Sequence, residues 1–182
     1  MNMSELLKKL ETYADSDYLP MHMPGHKRRM GDLGNPFFID ITEIDGFDDL
    51  HHAEGILKQA EERAAELYGS EETHYLVNGS TSGILASISG CTAAGGTVLL
   101  ARNSHKSAYH AVLLRGLHVH YIYPQPAGKM GINGPVTAEN VDRLLEEHPE
   151  TKMVYITSPT YDGVVSDVER IAEVVHRRKL PL

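Results

Sequence analysis

The chain has 182 residues, a formal net charge of −8 at pH 7 and a single cysteine. An acidic balance argues against a nucleic-acid partner, which needs a basic surface to displace counterions. A lone Cys91 allows neither an internal disulfide nor a Cys-based zinc site.

The start of the chain, MNMSELLKKLETYADS, sets Leu6, Leu7, Leu10 and Tyr13 at helical spacing behind Ser4, a good capping residue. Its acidic residues are unlike the apolar core of a signal peptide. No apolar run approaches the ~18 residues of a membrane span, so a soluble cytoplasmic protein is expected. Pro20, Pro24, Gly25, Gly31, Gly34 and Pro36 then break regular structure, and the segment reads as an ordered loop. From about His52 to Tyr68 the spacing of Ile56, Leu57, Ala60, Ala64 and Leu67 predicts a helix, with Gly69 placed as its C-terminal cap.

Short β-rich runs then alternate with helical patterns. THYLV precedes a helix from Ser80, and TVLLA precedes one from about His105. HVHYIY precedes a helix over Thr137–Glu147, and MVYIT one over Ser166–Arg178. Such alternation predicts an α/β fold, a mostly parallel sheet covered by helices, with four strands. Pro181 and Leu182 read as the first step into a fifth strand, and the chain as a fragment of a larger protein. Two regions are expected: an N-terminal helix and loop segment over 1–49 and an incomplete ligand-binding domain over 50–182.

Three strand ends carry polar residues toward one sheet edge. In VNGSTSG, Gly79, Ser80, Thr81 and Ser82 open a helix, so backbone amides and hydroxyls can converge on an anion. The spacing serves equally for an ordinary turn in which Ser80 caps the helix. It is neither GxGxxG nor GxxxxGK[ST], which argues against dinucleotides and nucleoside triphosphates. In ARNSHKSAYHA, His105 falls at the same carboxyl edge, where open α/β sheets bind ligands. Its ring suits stacking on an aromatic ligand, though a surface histidine opening a helix explains it as well. ITSPTYDG brings Ser158, Thr160, Tyr161 and Asp162 to that rim.

The run IDITEIDGFDDLHHAEG holds Glu43, Asp45, Asp48, Asp49, His51, His52 and Glu54, with His22 and His26 upstream. No metal ion is expected there, because adjacent histidines diverge and no pair shares a helix face in an HExxH arrangement. Asp48 and Asp49 also suit acids preceding a helix N-terminus.

Taken together, MHMPGHK, DITEIDGFDDLHHAEG, VNGSTSG, ARNSHKS and TSPTYDGVVSD resemble the Orn/Lys/Arg decarboxylase family, in matching order over almost the whole chain. The resemblance implies pyridoxal 5'-phosphate chemistry on the aspartate-aminotransferase fold, acting on arginine, lysine or ornithine, in a homodimer or higher homo-oligomer. It implies that Gly79–Ser82 hold the cofactor phosphate, that His105 stacks on the pyridine ring and that Thr160 lies close to the cofactor. His26, Asp45, Asp48 and His51 would shape the active-site entrance and dimer interface.

The family also uses a lysine that forms a Schiff base with the aldehyde and an aspartate that pairs with the pyridinium nitrogen. Neither has a match in this chain, so the 182 residues alone are expected to be inactive. Lys106 is not assigned the Schiff base, since it follows a histidine matching the stacking position; contact with a phosphate or carboxylate, or plain solvation, is expected. Two other readings stay open: another enzyme of the same fold, such as an aminotransferase or lyase, and a non-catalytic phosphate-binding or dimerisation fragment.

Overall fold

Helical spacing in the sequence becomes helix wherever a cap and a neighbouring surface support it. The computed structural model describes residues 3–19, 21, 27 and 34–182. Its described residues fall into two compact units, 1–73 and 74–182, where the sequence suggested a boundary at 49/50.

In the first unit, α1 covers Met3–Ala14 and α2 covers Ile56–Tyr68. Leu6, Leu7 and Leu10 of α1 are all about half exposed. Helix α2 ends as its pattern predicts. Gly69 takes a left-handed conformation with φ of 66°, and the Gly69 and Ser70 amides donate to the Glu66 and Ala65 carbonyls.

In the second unit, α3 (Gly79–Cys91) leads to β1 (Thr97–Ala101), α4 (Lys106–Arg115), β2 (His118–Ile122), α5 (Ala138–Glu147), β3 (Thr151–Tyr155) and α6 (Val168–His176). The sheet is parallel in the order β2-β1-β3. All five residues of the central strand β1 are buried, as expected of a strand covered on both faces. Alternate β1 residues feed two cores. Val98 and Leu100 pack with Ile88 of α3 and Ala108 and Ala111 of α4. Leu99 and Ala101 pack with Val141 and Leu145 of α5 and Ile171 and Val175 of α6.

The α/β architecture is therefore as expected, with one correction. THYLV does not pair as a strand: among the described residues there are three strands, and 72–76 has no regular structure. Tyr75, Leu76 and Val77 are 46%, 51% and 69% exposed. Their strand propensity is unmet because a strand needs a partner ladder, and none of the three described strands pairs with them. At the other flank, the Val154 amide donates to the Pro181 carbonyl at 3.0 Å.

Candidate active site

The chain direction assembles the site. Helix α3 ends next to the start of β1, so its N-terminus lies at the carboxyl edge of the sheet. Helix α4 leaves that same edge after the short 102–105 turn, and α3 and α4 cover the same face. Loop 156–167 emerges from the carboxyl end of β3, immediately beside β1 in the sheet. The connection after β1 leads to β2 on one side, while the chain after β3 returns along the opposite flank. A reversal of this kind marks the crevice in which α/β sheets bind ligands. Gly79–Ser82, His105 and Thr160 all lie on this edge.

The four α-helices of this unit differ at their starts. His105, Thr137 and Asp167 cap α4, α5 and α6 through side-chain acceptors. At α3 the capping residue is Asn78, whose side chain makes no such bond, and the first turn carries no acid. The α3 amides therefore keep their positive field without an internal acceptor at the cap. Gly79 has φ of 63°, a left-handed conformation that favours glycine, and a side chain added there would meet nothing within 4 Å. Ser80 and Thr81 are exposed. The Ser82 hydroxyl donates to the Gly79 carbonyl at 2.9 Å. Ser80 is thus a free hydroxyl in the first turn, not the cap.

His105 is held by its own turn. Nδ1 lies 2.8 Å from the Ser107 hydroxyl and accepts the Ser107 amide at 3.3 Å. With Nδ1 as acceptor, the proton of the neutral ring sits on Nε2. Ser107 is 1% exposed, whereas His105 is exposed, so one edge of the ring is tethered and its faces are left open. Lys106 is exposed in the first turn of α4.

Just before His105, Asn103 Oδ1 and Ser104 Oγ are buried without a hydrogen-bond partner. Polar atoms in that condition ask for a ligand or water. Sequence reasoning passed over both, although two polar residues directly after a buried strand are a usable signal. It also missed the packing around Arg102, which donates to the Tyr109 hydroxyl at 2.9 Å and receives its proton at the backbone carbonyl at 2.6 Å.

Thr160 opens a tight turn. Its amide donates to the Val164 carbonyl at 2.9 Å, and its hydroxyl accepts the Val164 amide at 3.1 Å. Gly163, with φ of 82°, supplies the left-handed residue that the turn requires. The loop is anchored below by two serines. Ser158 Oγ accepts the Ser166 amide, and Ser166 Oγ accepts the buried Val136 amide, both at 3.0 Å. Tyr161 is fully exposed.

Asp45, Asp48 and His51 lie in the first unit, and His26 lies outside the described residues. Asp48 is fully engaged. Oδ1 accepts the Asp49 and Glu54 amides at 3.0 Å each, and Oδ2 accepts those of Gly55 and Leu57 at 2.8 and 3.0 Å. These bonds, the Glu54 amide first, lower its pKa from 3.8 to about 2 against partial desolvation. Asp48 therefore clamps the start of α2, whose own capping residue Gly55 has no side chain to do so. Asp49 accepts the His51 amide at 2.8 Å. Asp45 and His51 are exposed.

The chain matches the sequence profile described as Orn/Lys/Arg decarboxylase, major domain, over residues 4–182. It is 37% identical over 189 residues to the uncharacterized protein YaaO of Bacillus subtilis, and 32% identical over 185 residues to an arginine decarboxylase of Halalkalibacterium halodurans. Each alignment takes in 97% of this chain and 38% of the relative, so the chain spans under two fifths of their length. The constitutive lysine decarboxylase of Escherichia coli superimposes with a TM-score of 0.64 at 23% identity, over 93% of this chain and 27% of that one. That likeness shows the fold.

Proposed function

The chain belongs to the Orn/Lys/Arg decarboxylase family, and from that premise we propose that it carries the cofactor-phosphate end of a pyridoxal 5'-phosphate-dependent decarboxylase acting on arginine, lysine or ornithine. The observation that supports it most is the start of α3, the one α-helix in 74–182 without a side-chain cap, at the same sheet edge as His105.

The residues fit the cofactor. The α3 amides, that of Ser82 included, and the Ser80 and Thr81 hydroxyls form a donor set suited to a phosphate dianion, the Ser82 hydroxyl bracing the turn through the Gly79 carbonyl, and Gly79 keeps the approach open. The partnerless Asn103 and Ser104 atoms suit a polar ligand beside β1. The cofactor, when bound, supplies an electron sink for the pair released as the carboxylate leaves as carbon dioxide. His105, tethered by Ser107, presents a flat face on which an aromatic ring can stack. Thr160 fixes the rim through its turn and borders the ligand. Asp45 and His51 contribute to the entrance and to a homodimer interface, together with His26, while Asp48 shapes that region by holding α2.

The lysine that links the cofactor and the aspartate that pairs with its ring nitrogen are assigned to residues outside these 182. Lys106 takes neither role; its charge adds to the attraction for anions at this edge. The isolated chain is therefore expected not to turn over.

The test is product analysis on the protein carried to the length of its relatives, with cofactor and arginine, lysine or ornithine supplied separately. Carbon dioxide and the matching diamine or agmatine, in equal amounts from one of the three, support the reading. Oxo-acid products would point to a transaminating enzyme of the same fold. Carbon dioxide release by the isolated 182 residues would overturn the assignment of the missing groups.

A further inference from the structure

A second cluster of chemistry-bearing side chains lies away from the carboxyl edge. His120 sits in the middle of β2, His148 follows α5 as its C-terminal cap, and Glu150 immediately precedes β3. The end of α5 and the start of β3 place this cluster toward the amino edge of the sheet, opposite the α3 cradle. His120 Nε2 lies 3.0 Å from Glu150 Oε1, and His148 Nδ1 lies 3.7 Å from the same oxygen. All three candidate ligand atoms fall within 4.8 Å of one another, and no other such group occurs among the described residues.

We propose that His120, His148 and Glu150 form a binding site for a divalent transition metal of the zinc type. Two imidazoles and a carboxylate are a donor set that suits zinc, and three protein ligands leave a fourth position for water. Ligand atoms at about 2.0–2.1 Å from a tetrahedral zinc stand roughly 3.3 Å apart, close to the two separations above. The two rings are parallel, with centroids 3.4 Å apart and planes at 9°. Ligation therefore requires one ring to turn about its side-chain bonds while the backbone stays in place. Space for that turn exists: the side chains are 34%, 28% and 50% exposed for His120, His148 and Glu150.

The carrier elements favour a pre-set site. His120 is held in register beside Leu99 of the central strand. His148 is fixed by its amide donating to the Leu144 carbonyl at 3.0 Å, and its carbonyl accepts the Thr151 amide at 3.1 Å. A metal bound here ties the edge strand β2 to the α5–β3 connection and stabilises the unit by mass action, since the unfolded chain does not bring these residues together.

The experiment uses tag-free protein stripped with chelator and titrated with Zn2+ in a calorimeter, and with Co2+ in an absorbance cell. One equivalent of saturable zinc, a Co2+ spectrum of tetrahedral type and a zinc-dependent rise in Tm are expected. His120→Gln and His148→Gln should each weaken zinc binding at least about tenfold, the loss that even an outer partner of a metal site produces. His110→Gln, at an exposed histidine on α4, should leave binding unchanged, and circular dichroism verifies that each variant is folded. Absence of saturable uptake by the unaltered protein, or equal uptake by the folded His120→Gln and His148→Gln variants, would overturn the proposal.

Discussion

His105 Nδ1 and Ser107 Oγ lie 2.8 Å apart, so the exposed ring is positioned by a serine that is itself buried. The tether uses one edge of the imidazole and leaves its faces to a ligand. Ser107→Ala should fold normally, since the Nδ1 it abandons can be solvated. Cofactor affinity should fall about two- to tenfold, the worth of one hydrogen bond of 0.5–1.5 kcal/mol, and His105→Ala should lose more. Equilibrium dialysis with pyridoxal 5'-phosphate measures both; unchanged affinity in His105→Ala would remove the ring from the site.

Helix α3 offers a test that separates stability from binding. Ser80→Asp places a carboxylate in an uncapped first turn, which should hold or raise Tm, because an acid there gains about 0.3–1 kcal/mol from the helix dipole. The same charge should repel the phosphate and weaken cofactor binding by at least about tenfold, or ~1.4 kcal/mol. A variant that loses Tm and binding together would instead mark Ser80 as a structural residue.

Asp48 makes the first unit sensitive to acid. Its carboxyl is held at about 2, below its ordinary 3.8, so on acidification the unfolded chain takes up this proton first. The stabilisation from the clamp is fully present above about pH 4 and is lost as pH falls through about 2. Hydrogen-exchange protection of the Glu54, Gly55 and Leu57 amides, taken relative to the intrinsic rate at each pH, should fall across that window. In Asp48→Asn this protection should be lower already at neutral pH, with little further change down to pH 2.

Ser166 should matter for stability through one buried hydrogen bond. It is 4% exposed and its hydroxyl accepts the amide of Val136, which is also 4% exposed. Ser166→Ala leaves a buried amide unpaired, at about 1–3 kcal/mol. Chemical denaturation should show this as a shift in midpoint with unchanged slope.

Local patterns were readable where the interaction is local. The expected helix over Thr137–Glu147 forms as α5, with Thr137 outside it as the cap whose hydroxyl accepts the Asn140 amide. Gly69 likewise ends α2. The expected helix from Ser166 begins instead at Val168 behind Asp167, because Ser166 is engaged with Val136 across thirty residues. THYLV carries every local mark of a strand, but pairing depends on a partner elsewhere in the chain, which composition cannot reveal. The Asp48 clamp reaches seven and nine residues ahead, beyond the span of capping motifs. The cluster of His120, His148 and Glu150 depends on how β2, α5 and β3 come together, so no spacing rule would find it. At the carboxyl edge the turns that carry Gly79–Ser82, His105 and Thr160 are visible in the sequence, while the tether of His105 and the buried Asn103 and Ser104 atoms depend on packing that no local pattern encodes.

The central claim is that the start of α3 receives the phosphate of pyridoxal 5'-phosphate. Its most direct test compares the affinity of the protein for pyridoxal 5'-phosphate and for pyridoxal, which differ only in that phosphate, by equilibrium dialysis with and without inorganic phosphate. The phosphorylated form should bind at least about tenfold tighter, and inorganic phosphate should abolish the difference. Equal binding of the two, or a difference that inorganic phosphate leaves intact, would contradict the assignment.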